Sequence, residues 1–351
     1  MKRILAILLA AMMIFTLAAC KSTPSSTDNG GGSGAAGGNS GESGNKSGAD
    51  LKLAGLVFSD DQFMNALLRG YETAAAEYGA TVNLQNIAQD AAREAELLNT
   101  FISQGYDGVA IAPYNIDSSI PTLKSASDAG ILIATTNMNL RDGAADFIIG
   151  GYTSDDFSNG EAMGKYAAEW MKNNIEGQIK LGIVHFDHSK PDQSGARYGG
   201  FLASLDASGI DYVIVDSQAN SQGDPLGLTS SMIAGHPDMN VIYCCNEGAT
   251  IAAAKAVQAE GKIGQISVFG YDSSDQTSNM IIDEGSALIG VVTQDPYFMG
   301  YNAMKLICEV LLNDKDYSDT QGTSEYVPGE VLVKDNPDAV KKWRTDNGLT
   351  N

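Results

Sequence analysis

The chain repeats one alternation many times: an apolar run of strand length, then a segment with apolar residues at helical spacing. The first pair is LKLAGLVF at 51–58 and the helical segment at 62–79, which ends on Gly79. Such runs are typical of strands buried on both faces, and the helices between them supply the crossovers that parallel strands need. The strand–helix pairs after residue 51 are too numerous for one sheet of ordinary width. The sequence therefore predicts the α/β fold class, with two doubly wound parallel-sheet lobes.

The first twenty residues have the pattern of an export signal. Lys2 and Arg3 precede an apolar segment, 4–19, that is short for a membrane span, and small residues lead to Cys20. This pattern resembles the lipobox of bacterial lipoproteins. The resemblance implies a signal peptide at 1–19, lipidation of Cys20, and attachment to the outer face of the cell membrane. An ordinary secretory signal that ends in cysteine is the alternative.

A segment dominated by glycine, serine, threonine and asparagine follows at 20–49. It has almost nothing to bury, so we expect a flexible tether between the lipid and the folded body. A G-x-G-x-x-G match at 32–37 lies inside it. A dinucleotide site needs a strand before this motif and a helix after it, and neither is predicted there, so we reject that interpretation.

The composition and motifs argue against several classes of protein. The formal net charge is −21 at pH 7, which gives no electrostatic basis for holding phosphate backbones and argues against a nucleic-acid partner. No G-x-S-x-G elbow or Walker loop occurs, and no two carboxylates stand out as an acid–base pair. We therefore predict that the protein is not an enzyme.

The cysteines and histidines give little support for a metal or cofactor. Cys244 and Cys245 end an apolar strand, and neighbouring strand residues point to opposite faces, so the pair cannot hold one metal ion. We expect two buried thiols, with a strained or intermolecular disulfide as the alternative. The HFDH segment at 185–188 is either a rim loop, which we favour, or a metal site. No metal or cofactor is predicted.

Polar residues follow most of the predicted strands. In doubly wound sheets the ligand crevice lies outside the carboxyl ends of the strands, so these residues should meet at one rim. Their mixture of carboxylates, amides and aromatic rings suits a neutral, polyhydroxylated ligand. Each asparagine or aspartate taken alone is more simply explained as a helix cap. The strand-end residues are Ser59, Asp60, Asp61, Phe63, Thr136, Asn137, Asn139, His185, Asp187, His188, Asn220, Asn246, Glu247, Tyr271, Asp272, Thr293, Gln294 and Asp295.

From about 51 to 336, the sequence resembles the type I periplasmic binding proteins of ribose and related sugars. The resemblance places Phe63 on a ring-stacking position, and Arg197, Asn246, Asp272 and Gln294 on sugar-binding positions. Five segments carry it in the family's order: 59–79, SGARYGGFLASL at 194–205, 243–262, SVFGYDSSD at 267–275, and VVTQDPYFMGYNAM at 291–304. Together with the strand-end positions, it gives nine predicted ligand-binding residues: Asp61, Phe63, Asn137, Arg197, Asn220, Asn246, Tyr271, Asp272 and Gln294.

The sequence departs from the family at four positions of the expected site. The common Asp-Arg pair is Asn137-Met138 here, a second stacking aromatic is Met64, and a phenylalanine on the wall of the second lobe is Asn220. These changes alter which hydroxyls are recognised, so ribose itself is not implied. We expect Arg197 and Asp272 to face solvent in the open crevice, so that truncating either should weaken binding with little loss of fold.

The resemblance implies a function and a domain organisation. Two lobes joined by a three-strand hinge would close on a monosaccharide or related polyol, and the closed form would dock on ABC permease subunits. The predicted N-terminal lobe is 50–154 plus 295–327, and the predicted C-terminal lobe is 155–294 plus 328–351. We expect an extracytoplasmic, lipid-anchored monomer. The alternative is a receptor that presents a small furanosyl signal to a sensor kinase or chemoreceptor.

Overall fold

The computed structural model describes residues 46–140, 146–220 and 223–349 of the chain. The predicted signal peptide at 1–19, the lipidation of Cys20 and most of the predicted tether lie outside these residues. The last residues predicted as tether, 46–49, contact the folded body: Lys46 pairs with Asp107, and a short 3-10 helix spans Gly48–Asp50. Among the described helices, none combines the length and apolar character that a membrane crossing requires.

Strands and helices alternate along the described chain. The strands are β1 (Leu53–Val57), β2 (Val82–Asn86), β3 (Gly108–Ile111), β4 (Leu132–Thr136), β5 (Gly150–Thr153), β6 (Ile179–His185), β7 (Tyr212–Ala219), β8 (Val241–Cys244), β9 (Ser267–Tyr271), β10 (Leu288–Val292), β11 (Ser324–Tyr326) and β12 (Val331–Val333). The helices are α1 (Gln62–Glu77), α2 (Ala91–Gln104), α3 (Ile120–Asp128), α4 (Asp156–Asn174), α5 (Pro191–Ser208), α6 (Pro225–Gly235), α7 (Glu247–Ala259), α8 (Asp275–Ile282), α9 (Pro296–Asn313) and α10 (Pro337–Asp346).

The strands form two sheets with the same order of connections. The first sheet has the order β11-β5-β4-β3-β1-β2, and all of its strand pairs are parallel. The second has the order β12-β10-β9-β8-β6-β7 and is parallel except for β12, which runs antiparallel to β10. The α/β prediction with two doubly wound sheets is confirmed. We call each sheet with its packed helices a lobe, the first and the second.

The chain passes between the sheets three times. It leaves the first sheet after β5, returns after β10 into α9, and leaves again between β11 and β12. The last two strands are only three residues long, too short to show a periodic pattern, and the sequence analysis did not predict them. The residue boundaries of the two lobes remain a prediction.

In each lobe, two helices approach closely because glycines face each other across the contact. A Cβ added at Gly70 would lie 2.3 Å from the Tyr297 carbonyl oxygen, where α1 packs on α9. At Gly200 it would lie 2.0 Å from the Phe157 carbonyl oxygen, where α5 packs on α4. No side chain fits at these distances, so glycine is required for the approach. The second contact brings the beginning of α4 beside Arg197 on α5.

The adjacent cysteines are free thiols on opposite faces of the second sheet. Cys244 belongs to the apolar cluster that includes Val257 and Ile281, whereas Cys245 belongs to the cluster around Phe201 and Tyr243. Both side chains are fully buried. Burial raises the pKa of each thiol, so neither is disposed to react as a thiolate. The prediction of two small buried side chains is confirmed.

Replacing both cysteines by alanine should therefore reduce stability without any dependence on redox conditions. We expect the double variant Cys244→Ala, Cys245→Ala to lose about 1–3 kcal/mol of unfolding free energy, because each change removes a packed sulfur atom. Urea unfolding with and without a reducing agent measures this. A wild-type transition that shifts on reduction would show that the thiols pair and would contradict the assignment.

Candidate functional site

Two cavities lie between the lobes. The first, of about 370 Å³, is lined by the loops after β3 and β4 in the first lobe and by 189–193 in the second. The second, of about 390 Å³, is lined by the beginning of α1 in the first lobe and by the segments after β9 and β10. Phe63, Asp272 and Gln294 line the second cavity, and Asn137 lines the first. Four of the nine predicted residues therefore reach a space that a ligand could occupy.

The guanidinium of Arg197 lies in the second lobe, below the residues of that lobe that line the cavities. Its Nε donates to Asp156 Oδ1 at 2.8 Å, and its Nη1 donates to the Cys245 carbonyl oxygen at 3.0 Å. The Asp272 Oδ2 atom lies 3.7 Å from Nη1, and the guanidinium carbon stacks 3.9 Å from the centre of the Tyr271 ring. Burial disfavours the charged guanidinium, but Asp156, Tyr271 and Asp272 outweigh this and raise the pKa of Arg197.

The expectation that Arg197 faces solvent is wrong. The residue is 4% exposed, and its hydrogen bonds are to groups of its own lobe. The reason is Asp156, which lies far from Arg197 in sequence and reaches it through the glycine contact between α4 and α5. Truncating Arg197 would leave the Asp156 carboxylate without its cation, and breaking a buried pair in this way costs about 3–5 kcal/mol. Arg197→Ala should therefore disturb the fold as well as the site.

Tyr271 is the last residue of β9, and Asp272 follows it with a left-handed backbone. Tyr271 is fully buried, and its hydroxyl donates to Asp156 Oδ1 at 3.0 Å and accepts from Asn159 Nδ2 at 3.1 Å. Tyr271 lines neither cavity. It lies beneath Arg197 and Asp156 and supports both side chains. Its predicted role as a ligand contact does not follow from this placement.

Asp272 is held from two directions by its own lobe. Its Oδ1 accepts from Gln294 Nε2 at 2.5 Å, and its Oδ2 accepts from the Glu247 backbone N–H at 3.1 Å. Burial raises the pKa of Asp272, while Arg197 and the bond from Gln294 act in the opposite direction. A carboxylate has about four lone-pair positions, so these two bonds leave acceptor capacity for a ligand.

Asn137 and Asp272 both follow a strand with backbone in the left-handed region, at φ of 67° and 70°. Their backbone N–H groups still bond to the neighbouring strand, at the Tyr152 and Val292 carbonyl oxygens. This conformation is energetically unfavourable for residues other than glycine, although asparagine and aspartate tolerate it best. Such strain clusters at functional sites. One such residue on each lobe, at the edge of a cavity, marks both as candidates for ligand contact.

In the structure Asp61 and Asn246 are helix caps, which is the simpler explanation of their positions. Asp61 accepts from the Met64 N–H at 2.8 Å and begins α1, and Asn246 accepts from the Ala249 N–H at 2.9 Å and begins α7. Asp61 still lies close enough to the second lobe to affect Glu247. Burial raises the pKa of Glu247, a hydrogen bond from Ser274 opposes this, and the charges of Asp272 and Asp61 add to it.

Asn220 is not brought to either cavity. It follows the edge strand β7, and its backbone N–H donates to the His185 carbonyl oxygen at 2.9 Å. In the neighbouring HFDH segment, His185 Nδ1 lies 3.1 Å from Asp187 Oδ1. Within residues 46–140, 146–220 and 223–349, no group of three or more metal-ligating side chains is arranged around a common point.

The sequence analysis missed Lys190, which crosses from the second lobe to the first. It precedes α5, yet its Nζ lies 3.1 Å from the Tyr114 carbonyl oxygen, 3.4 Å from Met138 Sδ and 3.9 Å from the centre of the Phe58 ring. Burial lowers the pKa of Lys190 to about 8, Glu94 opposes this shift, and Arg197 adds to it. A lysine directly before a proline, in the loop between β6 and α5, was the available signal.

This lowered pKa predicts a specific pH dependence of stability. The folded-state pKa of about 8 lies below the usual 10.5, so the unfolded state binds more protons between these two values. Wild-type stability should rise from pH 8 to pH 10, relative to Lys190→Met, which has no such group. Urea unfolding of both proteins at pH 7, 8.5 and 10 measures the difference. A difference that does not change with pH would contradict the buried position of the ammonium.

Comparisons with known proteins agree with this geometry. The family model described as "Periplasmic binding protein domain" matches residues 56–315. A D-ribose/D-allose-binding protein from Pseudomonas aeruginosa is 26% identical over 201 residues, 55% of this chain and 60% of that protein, so the match spans less than two thirds of that relative. A ribose import binding protein from Bacillus subtilis is 22% identical over 78% of this chain and 85% of its own length.

The fold is also similar to that of a solved structure. An ABC transporter solute-binding protein from Agrobacterium vitis, with bound D-fucose, aligns with a TM-score of 0.71 and 22% identity. The alignment covers 85% of this chain and all of that one. The three proteins compared are named for binding or transport, and none of them is named as an enzyme. Because the family model covers well over half of the sequence, the chain belongs to the periplasmic binding protein family, with the type I fold.

Proposed function

We propose that this protein is an extracytoplasmic substrate-binding protein that captures a monosaccharide or related polyol between its lobes and delivers it to an ABC importer. The observation that carries the proposal is the Asp272 carboxylate, held by Gln294 and Glu247 next to the buried Arg197 and open to the second cavity. The named functions of the relatives support the same class of ligand.

The groups around the second cavity suit a hydroxylated ring. Asp272 can accept from ligand hydroxyls, and the Gln294 amide supplies both a donor and an acceptor. Phe63, half-buried on α1, offers an apolar face to the C–H side of a sugar. The first lobe thus contributes apolar contact, and the second lobe contributes hydrogen bonds. A ligand that uses both would hold the lobes together.

Closure of the two lobes is the proposed means of capture. A ligand shifts the population towards the closed form only if it binds that form more tightly, and contacts to both lobes provide the difference. The proposed lobes are 50–154 plus 295–327 and 155–294 plus 328–351, with the three passages between the sheets as the hinge. We further propose that the protein is a monomer, anchored by a lipid on Cys20 to the outer face of the membrane. The sequence pattern at the N-terminus supports the anchor.

Thermal unfolding with a panel of pentoses, hexoses and inositols tests the class of ligand. We expect at least one member to raise the midpoint, because a ligand at about a hundred times its dissociation constant adds about 2.7 kcal/mol to the stability. Amino acids and nucleosides serve as control ligands. Stabilisation by these controls and by no sugar or polyol would overturn the proposed ligand class.

Replacing Asp272 by asparagine tests the proposed site. The variant keeps the shape of the side chain but loses charge and acceptor capacity, so the affinity for the best ligand should fall by about ten- to a hundredfold. Asp338→Asn is the matched control, because that side chain is 93% exposed on α10. Calorimetric titration measures both. An Asp272 variant that binds as tightly as the control would remove Asp272 from the site.

A further inference from the structure

The first cavity contains one basic side chain among its described lining residues, and it comes from the second lobe. Lys190 extends to the loops after β1, β3 and β4, where it meets Phe58, Tyr114 and Met138. A lysine ammonium has three donors. Here the recorded contacts are one carbonyl oxygen, one thioether sulfur and one aromatic face. Because thioethers and rings are weak acceptors, the ammonium has donor capacity left in a desolvated position.

Two further polar groups at the same cavity have unused capacity. The Ser154 hydroxyl is buried, and the described residues offer it no hydrogen-bond partner. The side-chain amide of Asn137 has no recorded hydrogen bond within the described part of the chain, and its backbone is held in the left-handed region. Buried polar groups in native proteins are nearly always paired, so the unused capacity of Lys190 and Asn137 at this cavity is available to a bound partner.

Four aspartates line the first cavity, and the two at the start of α4, Asp155 and Asp156, hold protein donors. Both oxygens of Asp155 accept from Ser158, at 3.0 Å from its N–H and 2.7 Å from its hydroxyl. Asp156 Oδ1 accepts from Arg197 and Tyr271. A ligand hydroxyl could use Lys190 and the oxygen of the Asn137 amide, whereas a carboxylate oxygen can accept from the Lys190 ammonium and from the Asn137 amide N–H together. Charge-assisted hydrogen bonds are roughly twice as strong as neutral ones.

We propose that Lys190 determines the specificity of the first cavity, and that it selects a ligand whose carboxylate oxygen lies between its ammonium and the Asn137 amide. This makes the preferred ligand a sugar acid rather than a neutral sugar. The proposal rests on the proposed function and narrows its ligand class; the ligand would extend between the two cavities, whose lining residues Asp156 and Asp272 both lie beside Arg197. The cation arrives from the second lobe, so the same contact would also bind the two lobes to each other through the ligand.

Titrations with matched ligand pairs test the assignment. Each pair differs only at C6: galactose with galacturonate, and glucose with glucuronate. We expect the wild-type protein to prefer an acidic member by tenfold or more. Lys190→Met, which keeps most of the length and the apolar stem, should lose that preference. Lys165→Met is the matched control, since this lysine is 70% exposed on α4.

The outcomes distinguish the role of Lys190 from the proposed function. Binding of neutral sugars or polyols alone would overturn the role of Lys190 and leave the proposed function in place. A preference for the acidic member that Lys190→Met retains would also overturn the role of Lys190. Absence of binding to every sugar and polyol would overturn the proposed function and this inference together. Unfolding midpoints of both variants without ligand, if close to the wild-type value, confirm that a lost preference does not come from a lost fold.

Discussion

The buried guanidinium of Arg197 is the interaction on which the site depends. A buried charge destabilises a protein unless its partners are in place, and here the partners come from three separate elements: Asp156 at the start of α4, the Cys245 carbonyl after β8, and Asp272 after β9. The glycine contact between α4 and α5 sets the distance between Arg197 and Asp156. Tyr271 lies under the guanidinium and bonds to the same carboxylate. The network fixes Asp272 before any ligand arrives.

Such an arrangement prepares the second lobe to act as a rigid half of a binding site. Asp272 does not have to be ordered by the ligand, because Gln294 and the Glu247 N–H already hold it. The backbone is strained at Asp272 and, on the facing lobe, at Asn137. The two lobes therefore differ in character: the second presents fixed carboxylate and amide groups, and the first presents the Phe63 ring and the loops that line the first cavity.

Much of this could be predicted from sequence because it depends on periodicity. Apolar runs separated by helical segments gave both sheets, and the rule that ligands lie beyond the carboxyl ends of parallel strands led to Asn137, Asp272 and Gln294. The same rule also selected Asp61 and Asn246, because a residue that caps a helix also follows directly after a strand in this fold. Tyr271 was predicted as a ligand contact because it lies at the end of a strand, whereas in the structure it packs under Arg197 and bonds to Asp156.

The remaining features depend on distances that no local pattern contains. The pairing of Arg197 with Asp156 requires two helices to touch at glycines, and the contact of Lys190 with Phe58 requires the relative position of two lobes. The most direct test of the account is a crystal structure of the protein with the best ligand from the screen. We predict ligand density between the lobes, with ligand oxygens within hydrogen-bonding distance of Asp272 and Gln294. Ligand density outside the space between the sheets, with Asp272 contacting only protein atoms, would contradict it.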